Sequence, residues 1–252
     1  MSFTDDDFIE ILNYCKDLTN FHENAKVSYD NIVNISDSLI GDSRFWLFNF
    51  DNICENIYTK SNGRINNLPA STDGLDFIIG NENNTLYFIE FKDASLHSTD
   101  YKKELKSIKK SLNNNHCYYQ QDFCPITSHM LNSLDNAKSY YEDERICKLK
   151  LKTTESLFFI LPRLFEHYKN NRPEFNKTYD EFISWLLKLN KRFILVFAND
   201  NQNIPNDHFS FENKLKNNYK HFENVGNIKT SIIKKKDFED KFLNKFEFIP
   251  DS

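Results

Sequence analysis

Residues 75–93, LDFIIGNENNTLYFIEFKD, constrain this chain more than any other stretch. Two apolar, β-prone runs flank an Asn-rich segment, the pattern of a β-hairpin. Three charges interrupt that pattern: Asp76 in the first run, and Glu90 and Lys92 near the end of the second. A charge in a buried strand is costly unless it is paired, solvated or bound to a metal. The three charges are therefore to be accounted for by pairing, by solvent or by a metal.

The rest of the chain gives the hairpin its context. The pattern predicts a first helix over residues 5–20 and a second over about 43–60. In the second, Trp46, Phe50, Ile53 and Ile57 recur at helical spacing and Ser61-Asn62-Gly63 supplies a stop. HSTDYKKELKSIKKSL predicts a lysine-rich helix with the apolar stripe Tyr101, Leu105, Ile108 and Leu112, and another helix is expected at about 127–144. SLFFILP (156–162) and RFILVFAN (192–199) read as buried strands, and IKTSII (228–233) as a further strand. Two helical pieces broken at Arg172-Pro173 are expected between the first two of these. FENKLKNNYKHF and DFEDKFLNKF complete the set as helices. Strands alternating with helices predict an α/β fold with a mixed central β-sheet flanked by helices on both faces.

At 252 residues the chain suits one domain, with a core over about 43–200, an N-terminal helical segment (1–42) and a C-terminal extension over about 201–252. The net charge of −5 argues against non-specific coating of long polyanions, although a local basic surface suffices for phosphate contact. An acidic start without a signal-peptide pattern, and apolar runs far below membrane-spanning length, predict a cytoplasmic protein with no membrane partner. Cys15, Cys54, Cys117, Cys124 and Cys147 form no C-x-x-C pair. His116, Cys117, Cys124 and His129 could be drawn as a metal cluster, but ordinary thiols fit the spacing better. No glycine-rich phosphate loop is present.

The hairpin register follows from assuming that Asn81 faces Thr85 across a three-residue turn. Asp76 then lies opposite Glu90, and Lys92 shares their face because side chains alternate along a strand. Two carboxylates so placed repel each other unless a proton or cation intervenes. A divalent ion with oxygen ligands, Mg²⁺ or Mn²⁺, resolves the repulsion, with water and phosphate oxygens filling the remaining positions. Lys92 could then orient a water or neutralise charge developing on a phosphate. E-x-K alone is uninformative, because exposed ion pairs of this kind are common and weak.

An Asp followed by E-x-K across a hairpin, with a helix before and a helix after, resembles the PD-(D/E)xK nuclease superfamily. The resemblance covers roughly residues 45–160 and implies a restriction-endonuclease-like core with metal-dependent phosphodiester hydrolysis. It implies Asp76 and Glu90 as metal ligands and Lys92 as the catalytic lysine. The main-chain carbonyl of Phe91 would be a further ligand, and Glu55 is the candidate for the acid that such proteins add from the preceding helix. Leu75 stands where that pattern has proline, and no Q-x3-Y motif follows. The implied partner is nucleic acid, DNA ahead of RNA, with a homodimer or a partner protein also open. Lys102, Lys103, Lys106, Lys109 and Lys110 could meet a phosphate backbone, or form the wet face of an ordinary helix. His97 is close enough in sequence to approach the site. A catalytically idle scaffold that binds nucleic acid or protein is the alternative function.

Overall fold

The structure, a computed structural model, describes residues 2–18, 47–62, 68–80, 84–92, 107, 143–197, 213–220, 227–234 and 237–238. Helix α1 (Asp5–Leu18) begins at a reciprocal cap: Thr4 N donates to Asp7 Oδ2 at 2.7 Å and Asp7 N donates to Thr4 Oγ1 at 3.4 Å. Its Phe8, Ile11, Leu12 and Cys15 are buried, the spacing of one apolar stripe. Helix α2 (Phe50–Asn62) starts later than its periodicity suggests, because a short strand β1 (Phe48–Asn49) takes the residues before it. Asn49 Oδ1 accepts from Asn52 N at 3.0 Å and caps the helix.

Five strands form one mixed sheet in the order β1-β2-β3-β4-β5, with β2 Gly74–Ile78, β3 Thr85–Lys92, β4 Asn190–Phe197 and β5 Ile228–Lys234. β1, β2 and β3 are antiparallel, whereas β3, β4 and β5 are parallel. The expected α/β class and mixed sheet are therefore present. Leu75, Leu86, Phe88, Phe193 and Leu195 turn into the larger core, which α1, α2 and the later helices cover. Tyr87, Ile89, Phe91, Ile194 and Val196 turn to the opposite face, where Phe238 closes a smaller cluster.

SLFFILP is not a strand. Residues 143–155 form helix α3, which passes through a wide turn (Ser156–Ile160) directly into α4 (Leu161–Asn171). Ser156, Leu157, Ile160, Leu161, Leu164, Phe165 and Tyr168 are buried, a helical spacing that continues well past the apolar run. Phe158 and Phe159 are 38% and 57% exposed, which a strand buried on both faces would not allow. Seven apolar letters fit a strand or one side of a helix equally well, and the residues beyond them decide.

Helix α5 (Tyr179–Lys188) follows the break at Pro173 and opens with a capping box between Thr178 and Glu181. Its Phe182 stacks on Phe165 with ring centroids 4.8 Å apart, and Phe3 packs edge-on against Phe182 at 5.2 Å. Much of the aromatic content is therefore core; each fully buried ring contributes about 2–3 kcal/mol of apolar transfer. Lys191, buried at the start of β4, donates to Leu189 O at 2.8 Å and so satisfies a carbonyl just past α5. Among the described residues no helix is long and apolar enough to cross a membrane.

Candidate functional site

The site is built around the loop that leads into β2. Thr72 N donates to Ser156 Oγ at 3.0 Å, and the Ala70 amide donates to the Glu155 carboxylate. On its other side, Ser71 Oγ donates to Asp51 in the first turn of α2, and Phe50 N donates to Asp73 O at 3.1 Å. Gly74 then passes close to β1; a Cβ there would sit 3.2 Å from Leu47 Cδ1. These contacts hold Asp73 at the threshold of β2, beside the end of β3.

Asp73 Oδ2 accepts from Phe91 N at 2.8 Å, and Asp73 Oδ1 lies 3.2 Å from Lys152 Nζ. The same ammonium reaches Glu90 Oε1 at 2.8 Å and Oε2 at 3.0 Å. The Glu90 side chain is 0% exposed, against 15% for Asp73 and 26% for Lys152. A cation from α3 thus lies between two acids from the hairpin. Burial alone would lower the Lys152 pKa, but Glu90 and Asp73 outweigh it and hold the ammonium above its ordinary range.

Two further acids stand along α2. The Asp51 carboxyl is pushed up by partial desolvation and by Asp73 and Glu55, against the Ser71 hydroxyl and Lys152, which lower it. Glu55 is exposed one helical turn later. Between them the buried Cys54 thiol is pushed up to about 12, first by desolvation and then by Asp51, Glu55 and Glu155. Such a thiol stays protonated and unreactive at neutral pH.

This arrangement corrects the expected register. Asp76 pairs with Tyr87 and not with Glu90, an offset of three residues along β3. An odd offset moves a side chain to the other face, so Asp76 shares the face of Tyr87 and not that of Glu90. The connection runs over residues 79–84, longer than the assumed turn, and Gly80 N donates to Asn84 Oδ1 at 3.1 Å within it. Asp76 Oδ1 accepts from Phe77 N at 2.7 Å, and burial raises its carboxyl to about 7. The acid brought to Glu90 is Asp73, giving the spacing Asp73, Glu90, Lys92.

Lys92 ends β3 opposite Phe197 and occupies the next same-face position after Glu90; its side chain lies outside the described residues. Phe91 touches the site through its amide, while its ring packs on Phe238 across the sheet at 5.8 Å. His97, Lys102, Lys103, Lys106, Lys109, Lys110, His116, Cys117, Cys124 and His129 lie outside the described residues.

Asp73, Asp51 and Lys152 were missed from sequence. A local cue existed for Asp73, since S-T-D-G holds an acid directly before a glycine at the strand entry. Lys152 closes KLKLK, in which no letter separates the partly buried lysine from Lys148 and Lys150. Among the described residues no three acid, His or Cys side chains gather about one point. The Asp73 and Glu90 oxygens that meet at Lys152 Nζ are nevertheless a two-carboxylate, hard-oxygen set, which suits Mg²⁺ with water completing its shell. Comparison with family models, curated proteins and solved structures finds no match to this chain.

Proposed function

We propose that this protein is a metal-dependent nuclease with a restriction-endonuclease-like core, acting on DNA ahead of RNA. One observation carries the reading: Asp73 and Glu90 converge on a shared cation at the carboxyl end of β3, where β3 runs parallel to β4. Ligands of α/β sheets characteristically sit outside the carboxyl ends of the strands. Here Asp73 replaces Asp76 as the first acid of the D…E-x-K pattern. Asp73 and Glu90 would hold Mg²⁺ or Mn²⁺, which supplies Lewis acidity and a bound water of lowered pKa. The Phe91 amide fixes one Asp73 oxygen and leaves Oδ1 turned to the cation position. Glu90, sealed from solvent, keeps its charge because a cation accompanies it. Lys152 and Lys92 would stabilise negative charge developing on a scissile phosphate. Asp51 and Glu55 add negative potential on the α2 side, which favours a divalent over a monovalent counter-ion.

The test is a cleavage assay on single-stranded, double-stranded and branched DNA and on RNA, with Mg²⁺, Mn²⁺ and chelator. Asp73→Asn and Glu90→Gln should abolish metal-dependent cleavage, whereas Asp76→Asn should retain it. Undiminished cleavage by folded Asp73→Asn would sink the assignment.

A second reading has its own support. The Lys152 ammonium already pairs with both acids and offsets half of their charge, as expected of a metal-free scaffold that binds without turnover. Calorimetric titration separates the two: binding of Mg²⁺ or Mn²⁺ that disappears in Glu90→Gln favours the enzyme, and its absence from the wild type favours the scaffold.

A further inference from the structure

A second polar site opens toward the amino ends of β4 and β5. Its cavity, about 590 Å³, is lined by Arg192, Lys216, Lys220, Lys229, Thr230 and Ser231, and no acidic residue lines it. In a chain of net charge −5, four cations around one opening are a local reversal of sign. The fold creates it. Residues 213–220 form helix α6, which buries Leu215 and Tyr219 and exposes Lys216 and Lys220. Tyr219 stacks on Phe193 with centroids 5.3 Å apart, and its hydroxyl lies 2.8 Å from Thr153 Oγ1, so the helix is anchored over the sheet. Arg192 and Lys229 face each other across the β4–β5 ladder.

Lys216 and Lys220 are one turn apart, about 6 Å along the axis, and Arg192 and Lys229 stand on β4 and β5, on the sheet face opposite α6. Such a spread suits successive phosphates better than one small anion.

We propose that this cavity binds the phosphodiester backbone of a nucleic-acid strand, with Lys216, Lys220, Arg192 and Lys229 on the phosphates. Arg192 lies three residues before Leu195, the register partner of Glu90, or about 10 Å along the strand. The site is therefore distinct from the Asp73–Glu90 pair. The inference deepens the nuclease reading by giving the substrate an anchor away from the cutting site.

The experiment measures binding without chemistry. Fluorescence anisotropy of a labelled twelve-nucleotide strand, DNA or RNA, is read with the full chain in chelator, with inorganic phosphate and tripolyphosphate as competitors. Wild-type affinity should fall about thirtyfold between 50 and 200 mM salt, as expected for three or four neutralised phosphates on a single strand. Lys216→Glu/Lys220→Glu, both exposed and so harmless to the core, should weaken binding at least tenfold and flatten the salt slope. The proposal is overturned by no strand binding at 50 mM salt, by unchanged binding in the lysine double variant, or by competition from inorganic phosphate as strong as from the strand. Because chelator removes catalysis, loss of cleavage in Asp73→Asn with binding intact leaves this site standing. Intact cleavage without the lysine effect removes this site alone.

Discussion

Replacing Lys152 with Met tests the core of the candidate site, because it keeps most of the aliphatic stem and deletes only the cation. In the wild type, Nζ lies 2.8 and 3.0 Å from the two Glu90 oxygens and 3.2 Å from Asp73 Oδ1. Glu90 is wholly buried, so the variant strands a carboxylate without a counter-ion. Breaking a buried pair in this way costs about 3–5 kcal/mol; Lys152 is 26% exposed, which places the expected loss near the lower end, about 3 kcal/mol. For a domain of this size that is a fall in Tm of about 6–12 °C.

The deficit should depend on pH. With the cation gone, the folded-state pKa of Glu90 rises above its unfolded value, so the cost is present at pH 8 and shrinks as acid protonates the buried carboxyl. In the wild type the ammonium is held above its ordinary pKa. Its stabilisation is therefore full below about pH 10.5 and is lost only as pH rises through the folded value. Adding Glu90→Gln to Lys152→Met should restore more than half of the loss, because neighbours in one network are not additive. If Asp73 and Glu90 bind Mg²⁺, saturation at about 100 times Kd should return roughly 2.7 kcal/mol to the lysine variant. Calorimetric melting at pH 5 and pH 8, with and without Mg²⁺, reads all of this. A variant as stable as wild type, a deficit equal at both pH values, or strictly additive double-variant energies would refute the reasoning.

Asp76→Asn should stabilise the protein by about 1–3 kcal/mol at pH 8 and change little at pH 4. The Asp76 carboxyl is raised to about 7 by burial, so the ionised folded form carries its cost above pH 7 and sheds it as pH falls; urea midpoints at the two pH values check the sign. Thr178→Ala should cost about 1 kcal/mol by removing the α5 capping box, seen as a lower urea midpoint at constant m-value. Phe165→Ala should cost about 3–5 kcal/mol, since the ring is fully buried against Phe182, and thermal melting reads it.

The hairpin, the break at Pro173 and the strands β4 and β5 were legible because each carries a local signal: an apolar run of strand length, a turn-forming segment or a helix stop. SLFFILP was misread because its strand-like letters belong to a helix whose period shows only when the residues through Tyr168 are counted. Glu90 was legible as an anomaly, a charge inside an apolar strand. Its partner was not. Both faces of β3 are apolar, so a register with Asp76 opposite Glu90 buries much the same kind of surface as the observed one. Hydrophobic alternation does not choose between them.

From its letters alone, the chain determined an α/β fold and a hairpin carrying Glu90 and Lys92. Only tertiary structure decided that Asp73, and not Asp76, stands beside Glu90 and that Lys152, about sixty residues on, lies between the two acids. The physical reason is reach. Propensity and periodicity act over a few residues, whereas the strand register was selected by how the 70–73 loop docks between α2 and the turn at Ser156, and by where α3 places one ammonium.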